Sequence, residues 1–231
     1  MKIAVIGASG LIGTQLVERL TADGHEVVAA SRSTGVDVIS GDGVDDALTG
    51  ADALVDVLNS PDFSDGPVMA FFTTSTTNLT TAAKKAGVGH YVALTIVGQD
   101  GLPDSGYLRA KVAQEKIVRE SGVPYTFVRA TQFAEFTDQI TDSLVVGDEV
   151  RVPDALIQPI PAWKVVSVVA RAAAAPALNG FVNIGGPQKI SFEQMARDSL
   201  QRRGENRTVV VDQTAGYFGT AVDQRSLVTP D

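Results

Sequence analysis

Gly7-Ala8-Ser9-Gly10-Leu11-Ile12-Gly13 is the stretch on which the fold of this chain turns. Its glycines recur every three residues between a short apolar run, residues 3–6, and a segment in which Ile12, Leu16 and Leu20 recur every four. The run suits a strand buried on both faces. The four-residue spacing puts its apolar side chains on one face of a helix, which Gly24 then stops. A turn from buried strand into helix has a separate use for each glycine. Gly7 can take a positive φ, Gly10 lets the backbone approach a pyrophosphate, and Gly13 lets the helix lie close on the strand. Ser9, Leu11 and Ile12 complete a loop whose N–H groups, with the positive end of the helix dipole, are available to phosphates. A glycine-rich turn without a ligand is the plain alternative, but the flanking strand and helix favour dinucleotide binding.

Outward from that loop, short apolar runs alternate with helical patterns. Strands are expected at residues 26–30, 36–39, 53–58, 91–94 and 125–128, with helices at 45–48, 68–86 and 107–120. The later residues change character, with short strands at 149–152, 181–184 and 208–211 and helices near 165–174 and 192–203. The expected fold is α/β, a Rossmann-like doubly wound parallel sheet with a small C-terminal α+β substrate lobe. On this view residues 1–231 form a single NAD(P)-binding domain, of which roughly 134–231 contributes the lobe on the sheet's carboxyl edge.

Cofactor choice is read after the second strand. An acid about 20 residues beyond the loop holds the ribose of NAD, and here the chain reads Ala30-Ser31-Arg32-Ser33 instead. Ser31 can donate to a 2′-phosphate, and Arg32 can pair with it and stack on adenine, so NADP, as NADPH, is expected over NADH. Asp42 is placed either to meet the adenine edge or to form a turn. Asn59 and Ser60 follow the fourth expected strand, at the edge where open α/β sheets bind ligands, and are candidates for the nicotinamide side.

Composition narrows the classes. The 231 residues are 44% hydrophobic and 20% charged, ordinary for a soluble globular protein. There is no cysteine, which excludes a disulfide scaffold, a cysteine-ligated zinc and a cysteine nucleophile. With only His25 and His90, no metal site is expected. The net charge of −8 argues against nucleic acid as a partner. No apolar run reaches the ~18–20 residues of a membrane span, and residues 3–6 are too few for a signal peptide. A cytoplasmic protein acting on a small-molecule substrate is expected, its oligomeric state open.

Tyr107-Leu108-Arg109-Ala110-Lys111 with Glu115, Arg129-Ala130-Thr131-Gln132-Phe133 and Ile184-Gly185-Gly186-Pro187, added to the glycine loop and Ser31-Arg32, carry a resemblance. Over nearly its whole length the chain resembles the atypical, NmrA-like branch of the short-chain dehydrogenase/reductase superfamily. The resemblance implies a substrate cleft under the C-terminal lobe, and a family that holds reductases, epimerase-like proteins and catalytically silent redox sensors. Tyr107 and Lys111, four apart, share one helix face. The resemblance gives Tyr107 the role of proton donor to a developing alkoxide. It gives Lys111 the role of lowering the tyrosine pKa and binding the nicotinamide ribose. It gives Thr95, where serine is usual, the role of polarising the carbonyl. Thr131, Gln132 and Phe133 are expected to line the cleft, Phe133 as core or as substrate platform. The expected function is hydride transfer from NADPH to a small carbonyl or quinone-like acceptor. The alternative is a non-catalytic NADP(H) sensor acting through a protein partner.

Overall fold

The computed structural model describes residues 1–230. Its first half alternates strand and helix: β1 (Lys2–Ile6), α1 (Leu11–Ala22), β2 (Glu26–Ala30), α2 (Val44–Leu48), β3 (Ala53–Asp56), α3 (Asp65–Ala86), β4 (His90–Ile96), α4 (Gly106–Ser121) and β5 (Tyr125–Ala130). The second half is more broken: α5 (Thr137–Ser143), β6 (Val145–Val146), β7 (Glu149–Val152), β8 (Leu156–Ile157), α6 (Ala162–Ala174), β9 (Gly180–Ile184), β10 (Ile190–Ser191), α7 (Phe192–Arg203) and β11 (Thr208–Val211).

The main sheet has six strands in the order β2-β1-β3-β4-β5-β9, every pairing parallel. Parallel strands need covered faces, and the side chains alternate accordingly. Ile3, Val5, Val55, Val92 and Val128 pack beneath α1 and α6 with Ile12, Leu16, Leu20, Val165 and Val169. Ala4, Ile6, Leu54, Tyr91 and Phe127 pack on the other face with Leu48, Leu79, Ala83 and Val118. This is the Rossmann-like, doubly wound α/β fold. The strand order reverses between β1 and β3, and the crevice at such a switch point is where this class of sheet takes ligands.

Two expectations about strands are corrected. Residues 36–39 form no strand. Val36 and Val38 do bury their side chains, which gives the alternation its strand-like look. Between them Asp37 accepts the N–H groups of Ile39 and Ser40 at 2.7 and 3.2 Å, and its own N–H donates to Asp42 O at 2.9 Å, which closes a loop. The sixth strand is β9, expected in the C-terminal lobe but paired with β5. Likewise α6 lies across α1 and the sheet, because Val165, Val166, Val169, Ala170 and Ala173 form an apolar stripe that the sheet buries. Within 134–231 the lobe is therefore smaller than expected. It comprises a three-stranded sheet ordered β11-β7-β6, the β8–β10 pair, α5 and α7. Phe192, Met195, Leu200, Val150 and Ile157 pack there with Leu102 and Leu108, which seats the lobe on the start of α4. Among the described residues no helix is long and apolar enough to cross a membrane.

Candidate functional site

The glycine loop is fastened from behind. The N–H groups of Gly7 and Ala8 donate to Ala30 O at 3.0 and 3.1 Å, which ties it to the end of β2. Gly7 has φ +88°, and a Cβ there would stand 3.1 Å from Val57 O. A Cβ at Gly13 would stand 2.1 Å from Gly7 O and 2.7 Å from Ala8 Cα, so the helix lies on the strand only because that atom is missing. Gly10 differs. Its Cβ would meet Gly7 O alone, at an ordinary 3.4 Å, and its φ of −82° is open to any residue. The fold does not demand glycine there, and its missing side chain leaves the backbone open to a ligand. No side chain caps α1 and no acid stands in its first turn, so the leading N–H groups remain donors for an anion. These residues fit the pyrophosphate of a dinucleotide.

The ribose end shows the same fit. Ser31 ends β2, its N–H donates to Thr34 Oγ1 at 2.9 Å, and its hydroxyl lies 2.8 Å from Ser33 Oγ. Arg32 is exposed, and its guanidinium has no partner among the described residues. The nearby acids are engaged: Asp37 by its turn, and Asp42 by the Ser40 hydroxyl at 2.8 Å, so Asp42 acts here as a turn residue.

Asn59 and Ser60 follow β3 on the far side of the switch point. Ser60 is buried and donates to Asp62 O at 2.6 Å, which shapes the loop. Asn59 is exposed and accepts the Tyr107 hydroxyl at 3.2 Å. Tyr107 stands in the first turn of α4, where Ser105 caps the helix by accepting Leu108 N–H. The start of α4 presses against α3, since a Cβ on Gly106 would collide with the Asp65 carboxylate. Burial pushes the Tyr107 phenol well above its usual pKa, against the opposing bond with Asn59. Lys111 shares the helix face and is only 2% exposed. Its ammonium donates to Leu94 O at 3.0 Å and sits 4.4 Å from the Phe72 ring centroid. Burial pushes its pKa down to about 8, partly offset by the charges of Asp56 and Glu115. Thr95 turns away from this group, its hydroxyl donating to Glu115 Oε1 at 2.7 Å. Tyr107 and Asn59 are thus brought together, Lys111 lies behind them at Phe72, and Thr95 belongs to another network.

Beyond β5, Thr131 donates to Gln158 O at 2.5 Å and Phe133 packs half-buried with Phe136. Gln132 is 7% exposed, yet both its amide atoms lack a partner among the described residues. An orphaned buried amide is costly until something pairs with it.

Sequence reasoning missed two groups. Asp56, wholly buried at the end of β3, accepts Tyr91 Oη and Gln114 Nε2, each at 2.8 Å. The signal for it was a lone acid closing an apolar run. Phe63 and Phe218 lie against Tyr107, with Tyr217 against Phe218, and only the fold brings their segments together. The Arg129–Glu115 pair, joined at 2.9 and 2.5 Å with Asp100 at 2.6 Å, is a buried structural clamp.

A family model described as NAD(P)H-binding matches residues 7–176. A (4-alkanoyl-5-oxo-2,5-dihydrofuran-3-yl)methyl phosphate reductase of Streptomyces griseus is 33% identical over 148 residues, 58% of this chain and 49% of that protein. The photosystem II assembly factor Ycf39 of Synechocystis is 24% identical over 149 residues, 58% of this chain and 46% of that protein. The matched segment thus spans about half the length of these curated relatives. A solved dTDP-4-dehydrorhamnose reductase of Clostridium acetobutylicum superimposes with a TM-score of 0.75 at 17% identity, over 98% of this chain and 91% of that one.

Proposed function

The chain belongs to the NAD(P)H-binding family, with the fold of the atypical, NmrA-like short-chain dehydrogenase/reductases, and from that premise we propose that it is an NADPH-dependent reductase of a small carbonyl or quinone-like acceptor. One observation carries this. The glycine loop ends β1, the Tyr107–Asn59 pair meets the chain just past the end of β3, and β1 and β3 are neighbours. Cofactor cradle and proton donor therefore flank one crevice. The lobe on α4 stands on the acceptor side and serves as its cover.

When bound, the cofactor supplies two electrons and one hydrogen to the acceptor. The loop around Gly10 and the first turn of α1 bind the pyrophosphate. Ser31 and Arg32, whose guanidinium has no partner among the described residues, bind the 2′-phosphate, which favours NADPH over NADH. Tyr107, kept a neutral phenol by burial, delivers the proton to the acceptor oxygen. Lys111 acts as a positioning residue: held by Leu94 O, it locks α4 to the end of β4 and so fixes Tyr107 one turn earlier. The ribose contact that the resemblance implies for it is not part of this assignment.

The test is NADPH oxidation against quinones, aldehydes and ketones by wild type and Tyr107→Phe. A carbonyl reductase loses ~10²–10⁴-fold of its rate in the variant. A quinone reductase loses little, because the reduced quinone takes its proton from water. Tight NADPH binding with no turnover on any acceptor favours the second reading, a non-catalytic sensor acting through a protein partner. Two observations favour that reading: the Tyr107 and Thr95 hydroxyls are already engaged by Asn59 and Glu115, and one relative is named as an assembly factor.

A further inference from the structure

Three segments far apart in the sequence meet at Tyr107. Phe63 comes from the loop after β3 and sets its ring edge-on to Tyr107 at 5.1 Å. Phe218 comes from the C-terminal stretch and lies 5.2 Å from Tyr107 and 5.7 Å from Phe63. Tyr217 stands edge-on to Phe218 at 4.8 Å and packs back onto Phe192 of the lobe at 5.9 Å. The inner rings are covered, but Phe63 and Phe218 are each 43% exposed. They leave an open aromatic surface directly beside the one phenol that reaches Asn59.

The backbone holds that surface open at a cost. Tyr217 N–H donates to Thr220 O at 2.9 Å and Thr220 N–H to Tyr217 O at 3.2 Å, closing a tight two-residue turn. Its central residues both have positive φ, Phe218 at +48° and Gly219 at +75°. Such a turn takes asparagine or glycine at its first central position, and a bulky ring there is strained. The strain does not bury the ring. It presents the ring outward against Phe63 and Tyr107, and backbone strain of this kind is kept where a site needs it.

The surface also adjoins the crevice. Asn59 is two residues from Val57, whose carbonyl lies against Gly7, so at ~3.3–3.6 Å per residue the tyrosine's partner is within about 7 Å of the residue that touches the glycine loop. A ligand on Phe63 and Phe218 would have flat apolar faces to stack on and a phenol at its edge. Of the charged groups near the rings, Arg109 and Asp65 pair with each other at 2.8 Å, Asp62 accepts the Ser64 N–H at 2.8 Å, and Lys111 is buried with its ammonium held by Leu94 O. Both cations among these are already held, so they offer an anion no free partner.

We propose that Phe63, Tyr107 and Phe218 form the acceptor site, and that it selects a planar, uncharged, conjugated ring bearing a carbonyl. This rests on the reductase reading and narrows it to quinone-like or aryl carbonyl compounds over aliphatic and phosphorylated ones. In the proposed reduction a C–H bond of the nicotinamide breaks, its electron pair and hydrogen pass to the acceptor, and the acceptor oxygen takes a proton. NADPH is oxidised to NADP⁺ and the carbonyl or quinone is reduced to the alcohol or hydroquinone.

The test uses 2-methyl-1,4-naphthoquinone as probe on the full chain saturated with NADP⁺, with binding read by calorimetry. NADPH oxidation is measured with the same quinone and with propanal. Phe218→Asn is the informative variant, because asparagine suits the left-handed turn and removes only the ring. Phe63→Leu is the second. Expected results are a quinone Kd raised about tenfold in Phe218→Asn and several-fold in Phe63→Leu, with NADP⁺ affinity unchanged in both. An unchanged quinone Kd in both variants overturns the proposal. Quinone binding that weakens with Phe218→Asn while no acceptor is turned over keeps the aromatic site and removes the reductase reading. Turnover of propanal with no measurable quinone binding does the reverse.

Discussion

The two walls of the crevice are built by different means. On the β1 side the wall is built on backbone: Gly7 and Ala8 hang from Ala30 O, and Gly13 is pinned against Gly7. On the β3–β4 side it is side chain: Asn59, Tyr107, Phe63 and Phe218 arrive from separate segments, and Lys111 secures α4 from behind. A wall made of backbone can tolerate almost no added atom. A wall made of side chains can exchange groups while the fold stays intact.

The largest effect should come from testing the backbone wall. Gly13→Val places a branched side chain where even a Cβ would stand 2.1 Å from Gly7 O. Neither partner is a flexible side-chain end, so the strand–helix packing must open. Loss of several kcal/mol of stability, or failure to fold, is expected, measured as the urea unfolding midpoint. Gly10→Ala is its counterpart. The same midpoint should barely move, because the new Cβ meets only Gly7 O at 3.4 Å, while NADPH affinity falls at least tenfold. A destabilised Gly10→Ala would mean that the fold and not the ligand demands this glycine.

Lys111 comes next, through pH. Its folded pKa of about 8 lies below the usual 10.5. Below pH 8 both folded and unfolded chains carry the proton, and the full cost of the buried charge is present. Between pH 8 and 10.5 the unfolded chain still binds the proton and the folded one has released it. Stability must therefore rise with pH across this window, by roughly 3 kcal/mol from this group. Lys111→Met should remove that rise. Urea midpoints at pH 7, 9 and 10.5 for both proteins isolate the contribution, since other titrating groups are common to the two. Parallel pH profiles would show that the ammonium is solvated and the side-chain wall looser than its packing indicates.

Arg32 marks where the backbone wall hands over to side chains. Its guanidinium has no partner among the described residues, so Arg32→Ala should leave stability unchanged. A charge-assisted pair with the 2′-phosphate contributes about 1.5–3 kcal/mol, so NADPH should bind at least tenfold more tightly than NADH, and the variant should erase most of that margin. The readout is titration of both cofactors at fixed salt. Equal affinities in the wild type would remove the assignment of Ser31 and Arg32.

The same contrast explains what could be read from the sequence. The glycine loop was legible because residue type there is a statement about backbone: Gly13 is glycine for want of room, and position in the chain follows. Residues 36–39 look like a strand because buried Val36 and Val38 imitate one, while the Asp37 turn that prevents it rests on hydrogen bonds no periodicity reports. The sequence around β9 points to the lobe because nothing local says that a strand fifty residues beyond β5 returns to pair with it. Thr95 was expected in the crevice from its place at the end of β4. Strand alternation instead puts it on the face of Tyr91 and Ala93, where α4 presents Glu115. The aromatic surface was invisible for the most general reason: Phe63, Tyr107 and Phe218 are neighbours only after folding.

The smallest expected effect is the stability of Tyr107→Phe, and it is the sharpest probe of the side-chain wall. The substitution keeps the ring with its neighbours Phe63, Phe72 and Phe218, and removes one bond of 3.2 Å to an exposed Asn59. A neutral hydrogen bond contributes about 0.5–1.5 kcal/mol, and here water can replace the lost partner on Asn59, which puts the cost at the low end. For a chain of this size that is a fall in Tm of about 1–4 °C. NADPH affinity should not change, because the phenol lies on the far side of the crevice from the loop. A much larger fall, with cofactor binding lost, would make the Tyr107–Asn59 bond a structural member as unforgiving as Gly13. The hydroxyl would then be too committed to the fold to serve as a proton donor. A small fall leaves it free for that work, on a wall that the fold can spare.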